Sequence, residues 1–241
     1  MLEIRACARA QELHAMQAKG CNVVAIDTLR AATTCAAALE NGAREVWAVR
    51  TVETSFALRE RLEGAVLGGE RHLLPVPGFD AGNSPFDYGP DVVAGRTVVL
   101  TTTNGTLALS RARFASGVAF AALRTAHLAA RWLEGSGADQ AVIAHAGTGG
   151  GFSFEDALTA GAIAALLPEA GLDDLMRTCL AAYRSEQDEL ERAIGGTPHG
   201  RRLHAAGFGR DVAYAAQAFA GSVLPVRDER QKGRLVAWRG A

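Results

Sequence analysis

The chain is poor in the features that mark secreted, zinc-stapled or membrane proteins. Its four cysteines (Cys7, Cys21, Cys35 and Cys179) show no CxxC pair and no Cys/His spacing, so the pattern supports neither a disulfide framework nor a structural zinc site. Reduced thiols are expected, with Cys35 packed on an alanine-rich helical face. No uninterrupted apolar run reaches the roughly 20 residues of a membrane span. Glu3, Arg5 and Arg9 break the start, where a signal peptide needs apolar residues. A charge of one sign is lacking too: 25 Lys+Arg against 26 Asp+Glu leave a formal net charge of −1, with no basic block. Binding nucleic acid through its backbone takes many phosphate contacts, so beyond a local basic cleft no nucleic acid partner is expected. Aromatics are only 6% of residues, so the core must be aliphatic and close-packed. The expectation is a soluble, cytoplasmic protein without a membrane partner.

What the sequence does hold is a repeated alternation of short apolar strands and helices. Val23–Ile26, Glu45–Val49, Ala65–Gly68, Arg96–Leu100, Val118–Ala121 and Gln140–Ala144 read as strands. Helical runs lie between them: Cys35–Gly42, Ser55–Leu62 behind a capping box at Thr51–Thr54, Leu107–Arg111, and a run through Leu128 to Leu133. Short joints between alternating elements predict an α/β fold, a mostly parallel sheet with helices on both faces in three α/β/α layers. Before this block, a strand Leu2–Ala6 and a weak helix ending at Gly20 are expected. After it come a long helix from Phe154 capped by Ser153, a charged amphipathic helix Arg184–Arg192, a helix Arg210–Phe219 and a terminal hairpin of Val223–Val226 with Arg234–Ala237. No linker marks a boundary, so residues 1–241 read as one domain. A strand–polar-turn–helix unit used three times is weak evidence of internal duplication.

The unit that organises the rest is Val23–Thr34. Asp27 falls at the carboxyl end of a strand, where open α/β sheets place ligands. Arg30, Thr33 and Thr34 follow near a helix start, whose free N–H groups and dipole favour an anion. Two further strand ends are equally polar, Thr101–Thr106 with Thr102, Asn104 and Gly105, and His145–Asp156 with Glu155 and Asp156. A Pro/Gly-rich stretch from Glu70 to Pro85 carries Arg71, Asp80 and Asn83, more chemistry than a plain connection needs. Each turn alone is an ordinary βα joint. Together they suggest one cleft in which carboxylates hold a hard cation such as Mg²⁺ and hydroxyls and amides hold phosphate.

Known phosphate machineries with a sequence signature are mostly eliminated. Gly147–Ser153 lacks the lysine of a Walker loop. Leu29 stands where an aspartyl-phosphate mechanism needs a second Asp, no cysteine has the CX5R spacing, and His199-Gly200-Arg201 lacks a preceding arginine. Metal-assisted hydrolysis is the simplest remaining scheme. Asp27 and Glu70 are the first candidates for the metal, with Glu155 and Asp156 next. Arg30 and Arg71 would bind anionic groups, and Thr33, Thr34, Asn83, Thr102, Asn104 and Gly105 would line the substrate. Asp80 and His145 are the candidates for moving the proton of water, and His199 is a weaker one.

DTLRAATT at Asp27–Thr34, GGER at Gly68–Arg71, PGFDAGNSP at Pro77–Pro85, TTTNGT at Thr101–Thr106 and AGTGGGFSFEDALTAG at Ala146–Gly161 together resemble the 2-phosphosulfolactate phosphatase (ComB) family. The resemblance covers about Val23 to Leu167, with a fainter match from His199 to Val226. It implies an α/β, magnesium-dependent phosphatase that converts 2-phosphosulfolactate to 3-sulfolactate, a step best known from coenzyme M biosynthesis. Ala32, Thr28 and His145 depart from the family's usual residues, and an acid expected shortly before Leu224-Pro225 is missing. A phosphatase acting on another small phosphorylated acid and a non-catalytic phosphometabolite-binding module are the alternatives, and homo-oligomeric assembly is left open.

Overall fold

Apolar runs flanked by turn residues become strands along most of the chain. The computed structural model describes residues 1–14, 18–231 and 233–240. β1 (Glu3–Cys7) leads into a 3-10 turn at Ala10–Glu12; the expected weak helix ending at Gly20 runs through residues 15–17, which lie outside the described ones. Then follow β2 (Asn22–Ile26), α1 (Ala31–Glu40), β3 (Glu45–Val49), α2 (Val52–Arg61) and β4 (Val66–Arg71). Thr51 caps α2, its hydroxyl accepting from the Thr54 N–H at 3.1 Å. β4 continues to Arg71 and turns back at once into β5 (Leu74–Pro75), so the expected loop opens as a hairpin. The short α3 (Pro90–Val93), β6 (Thr97–Thr101), α4 (Gly105–Arg111), β7 (Gly117–Ala121), α5 (Ala126–Gly135), β8 (Gln140–His145) and α6 (Phe154–Ala165) complete the alternating region.

β9 (Gly171–Leu172) and four helices follow: α7 (Asp174–Glu186), α8 (Leu190–Gly195), α9 (Pro198–Ala205) and α10 (Gly209–Ala215). The expected charged helix Arg184–Arg192 is thus two helices that meet at a break, and the helix from Arg210 stops before Phe219. Ser153 sits at the start of α6 without a side-chain capping bond. β10 (Leu224–Arg227) and β11 (Arg234–Trp238) pair antiparallel, as the hairpin reading expects.

That hairpin is not an appendage. The eleven strands of the described residues form one sheet in the order β5-β4-β6-β3-β11-β10-β7-β2-β8-β1-β9, with β10 and β11 in its middle. β4, β6 and β3 run parallel to one another, as do β7, β2, β8, β1 and β9, while both hairpin contacts, β11 with β3 and β10 with β7, are antiparallel. Three reversals in succession leave the two parallel blocks running in opposite directions. In a flat sheet their carboxyl ends would lie at opposite edges. Six strand steps separate β4 from β2, and a twist of roughly 20–25° per step turns the blocks by about 120–150°. The ends of β2, β4 and β6 are thereby brought together.

Helices cover both faces, as the alternation predicts. Along β2, Val24 and Ile26 pack with α5 and α6 residues such as Leu133 and Leu158, while Ala25 faces Ala32, Cys35 and Leu39 of α1. A strand buried on both sides reads as a continuous apolar run because neither face meets water. Each fully buried Val or Ile contributes about 1.5–3 kcal/mol. The small side chains of α1 let it lie close across β3, β11, β10 and β7. No helix is long and apolar enough to cross a membrane among the described residues.

Candidate active site

Asp27 is the first residue after β2 and is buried, with its N–H bonded to the Ala121 carbonyl at 3.2 Å. Its carboxylate accepts from the first amide of α1, Ala31 N–H, at 3.1 Å, and from the amide of Gly105 at the start of α4. The anion expected at the α1 start is therefore first of all this carboxylate. Burial, opposed by the Ala31 amide and reinforced by the charges of Glu70 and Glu155, pushes the Asp27 carboxyl up to about 7. Gly105 has to be glycine: a Cβ there would lie 2.6 Å from Asp27 Oδ2 and 2.7 Å from the Phe120 ring. The Leu29–Arg30 peptide is cis.

A cleft of about 690 Å³ opens beside Asp27. Residues expected there and found there are Asp27, Arg30, Glu70, Arg71, Asn83, Thr102 and Asn104. Arg30 is less free than the sequence suggests. Its Nη1 donates to Asp211 Oδ2 at 2.6 Å and its guanidinium lies 4.3 Å from the Phe208 ring centre. Asp211 also accepts from the Ser84 hydroxyl at 2.8 Å. Glu70 leaves β4 beside a two-residue turn in which His72 and Leu73 both have positive φ, 55° and 70°, the backbone of a tight I′ hairpin. That turn lets Leu73 N–H donate to Glu70 Oε2 at 2.9 Å, while Oε1 accepts from Thr103 at 3.3 Å. Arg71 donates to the carbonyls of Glu70 (2.7 Å) and Arg50 (3.2 Å), which holds its side chain along the rim.

Six other candidates stand elsewhere. Thr33 and Thr34 spend their hydroxyls on the carbonyls of Thr28 (2.8 Å), in the turn before α1, and of Asn83 (2.9 Å), in the loop packed against it. They brace the site without lining it. Asp80 is paired with Arg59 and accepts from Leu67 N–H at 2.8 Å, outside the cleft. His145, at the end of β8, is fully buried with neither ring nitrogen bonded among the described residues, and burial holds its pKa down at about 4. Asp156 commits both oxygens to backbone amides, Thr28 at 2.9 Å and Gly147 at 3.1 Å, so it fastens the Asp27 loop to the glycine turn instead of facing a ligand. Glu155 is buried behind the cleft, beside Ser153 and Thr197. Burial raises both carboxyls.

The structure adds groups from distant parts of the chain. Arg50 comes from the end of β3, Thr148 from the glycine turn, and His199 and Arg202 from α9. His199, the weaker sequence candidate, lies in the cleft with Nδ1 3.0 Å from Arg202 Nη2. An arginine has no acceptor, so Nδ1 accepts and the other nitrogen carries the proton. Burial, then Arg202 and Arg30, lower its pKa to about 4, which keeps the ring neutral. Thr197 caps α9 with a 3.0 Å bond from Gly200 N–H and so fixes where this pair points. The Thr-Pro-His start of α9 is the one signal in the sequence that marks this helix.

Four arginines thus face two carboxylates, Asp27 and Glu70. No group of three or more His, Cys, Asp or Glu side chains gathers as a metal cage among the described residues. Mg²⁺ does not ask for one, since it binds through one or two carboxylates, water and substrate phosphate. Asp27 and Glu70 offer that pair. Thr102 Oγ1 and Asn83 Oδ1 are buried oxygens without a hydrogen-bond partner among the described residues, and both residues lie on the cleft wall. An all-oxygen donor set with orphaned oxygens and mutually repelling carboxylates fits a hard divalent cation.

Comparison with known proteins places the chain in a family. The family model described as 2-phosphosulpholactate phosphatase matches residues 7–230. A Deinococcus radiodurans protein named "Probable 2-phosphosulfolactate phosphatase" is 42% identical over 204 residues, covering 83% of this chain and 85% of that protein. Proteins of the same name from Carboxydothermus hydrogenoformans (37% identical, 89% of each chain) and Thermus thermophilus (38%, 85% of this chain and 86% of that protein) are similar over comparable spans. With the match running from β1 to the central hairpin, the chain belongs to the 2-phosphosulpholactate phosphatase family.

Proposed function

We propose that the chain is a magnesium-dependent phosphatase that hydrolyses 2-phosphosulfolactate to 3-sulfolactate and phosphate. The observation that carries this reading is the cleft's charge: Arg30, Arg50, Arg71 and Arg202 surround Asp27 and Glu70. A substrate with phosphate, carboxylate and sulfonate on three carbons brings more negative charge than two or three neutral donors can hold. Arginine forks match each of those oxyanions. Names borne by the relatives point the same way.

In the reaction, water oxygen bonds to phosphorus, the ester P–O bond breaks, and the departing alkoxide takes a proton to become the hydroxyl of 3-sulfolactate. Asp27 and Glu70 would hold magnesium, which supplies neutralisation of phosphoryl charge and acidification of water. Arg71 and Arg202 hold substrate oxyanions across the cleft, and Thr102 and Asn104 donate to the phosphoryl group. Arg30, fixed by Asp211, presents its remaining N–H groups without moving, the preorganisation that charge stabilisation needs. His199, neutral and bonded to Arg202, sets the direction of that arginine. The test is phosphate release from a panel of 2-phosphosulfolactate, phospholactate and phosphoglycerate, with Mg²⁺ and with EDTA. Release from 2-phosphosulfolactate foremost, and only with the metal, is expected. Release from another member alone would move the substrate, and none from any would leave a binding module.

A further inference from the structure

We propose that a second pocket, about 310 Å³ between α4 and the central hairpin, is an anion site for a small organic phosphate or sulfonate with a short aliphatic body. Arg50, Arg113 and Arg227, 63 or more residues apart in sequence, converge on it from the end of β3, the turn after α4, and β10. Ser110 adds a hydroxyl, and Leu109 and Leu235 supply apolar wall. No acid lines the pocket and none forms a salt bridge with these three arginines among the described residues.

Their hydrogen bonds satisfy donors without neutralising charge. Arg227 donates to the carbonyls of Ala112 at 3.0 Å and Ala115 at 2.6 Å, and Arg113 lies 4.8 Å from the Phe114 ring centre. Glu229 acts on Arg227 electrostatically from a neighbouring hollow that Arg227 also borders, without a salt bridge between them. Burial depresses the Arg227 pKa, the mark of a cation short of compensation. Surface arginines on a net-neutral protein ordinarily find carboxylates or open water. Three around an apolar-walled pocket instead offer a tetrahedral oxyanion bidentate partners and its carbon chain a dry wall. The site is separate from the cleft yet touches it, because Arg50 and Thr106 line both. It does not rest on the phosphatase reading.

Isothermal calorimetry with 1-propylphosphonate and, separately, 1-propanesulfonate tests it, since neither probe can be hydrolysed. Two equivalents of probe per wild-type chain are expected. Arg71→Ala should remove or weaken the cleft equivalent and leave the other. Arg113→Glu should weaken the second equivalent at least about tenfold, the loss of one charge-assisted bidentate contact, and Arg113→Gln should weaken it less. Arg113 is exposed, so both variants should keep the wild-type melting temperature, and the Gln variant carries the test if the Glu variant does not fold. Binding of one probe only would assign the site to phosphate or to sulfonate and would still support it. A single equivalent that vanishes in Arg71→Ala, or a second one that both Arg113 variants leave unchanged, would overturn the proposal.

Discussion

Arg30 carries its charge into the interior against one acid, Asp211, and both side chains are almost fully enclosed, at 2% and 4% exposure. Removing one partner of such a pair strands the other. Asp211→Ala should therefore cost about 3–5 kcal/mol in urea unfolding, and Asp211→Asn, which keeps an acceptor for Arg30 and Ser84, clearly less. Equal losses would mean that packing, not the ion pair, holds α10 to the cleft. His145 gives a pH signature. Its pKa is about 4 in the fold against an ordinary 6.5. Between these values the unfolded chain takes up a proton that the folded chain refuses, so stability falls as pH drops from 6.5 to 4 and is level above. His145→Leu should remove up to about 2–3 kcal/mol of that acid sensitivity, read as melting temperature against pH. A variant with the wild-type slope would contradict a buried neutral ring. From the sequence, Asp27, Thr102 and Asn104 were legible because each follows a strand, and Glu70, Arg71 and Asn83 because a Pro/Gly-rich stretch carries more polar chemistry than a plain connection needs. Asp211 was not, since an acid in a first helical turn reads as compensation for the helix dipole.

At the scale of elements, the site depends on how closely α4 meets β2. Gly105→Ala would push a methyl group into Asp27 Oδ2 and the Phe120 ring. A displacement of about 1 Å at a reacting group can cost about 10²-fold, so kcat/KM should fall at least that far with far-UV circular dichroism unchanged. Gly89→Ala, where a Cβ meets nothing within 4 Å, is the control. Comparable activity in the two variants would remove α4 from the account. Periodicity found this helix and nearly every strand, yet it misassigned how some elements join. The run Arg184–Arg192 keeps helical composition across a break between α7 and α8, and the α9 residues His199 and Arg202 reach the cleft through tertiary packing that no local pattern encodes.

For the whole molecule, the C-terminal hairpin is the seam between two oppositely running blocks. Its alternation reads the same whether it sits at an edge or in the centre, which is why the sequence suggested only a terminal ribbon. A chain ending before Leu224 would leave β3 paired only with β6 and β7 only with β2, with nothing joining the two blocks of the sheet. It should lose cooperative thermal unfolding altogether; a truncated chain that melts as sharply as the full one would show that the blocks do not need their seam. The same topology, by curling the sheet, sets Glu70 of one block against Asp27 of the other. The most direct measurement of the account is phosphate release from 2-phosphosulfolactate by wild type and Asp27→Asn across a magnesium titration. A loss of about 10²–10³-fold or more in the variant, together with a weakened response to magnesium, is predicted. Undiminished, metal-dependent release by Asp27→Asn would contradict it.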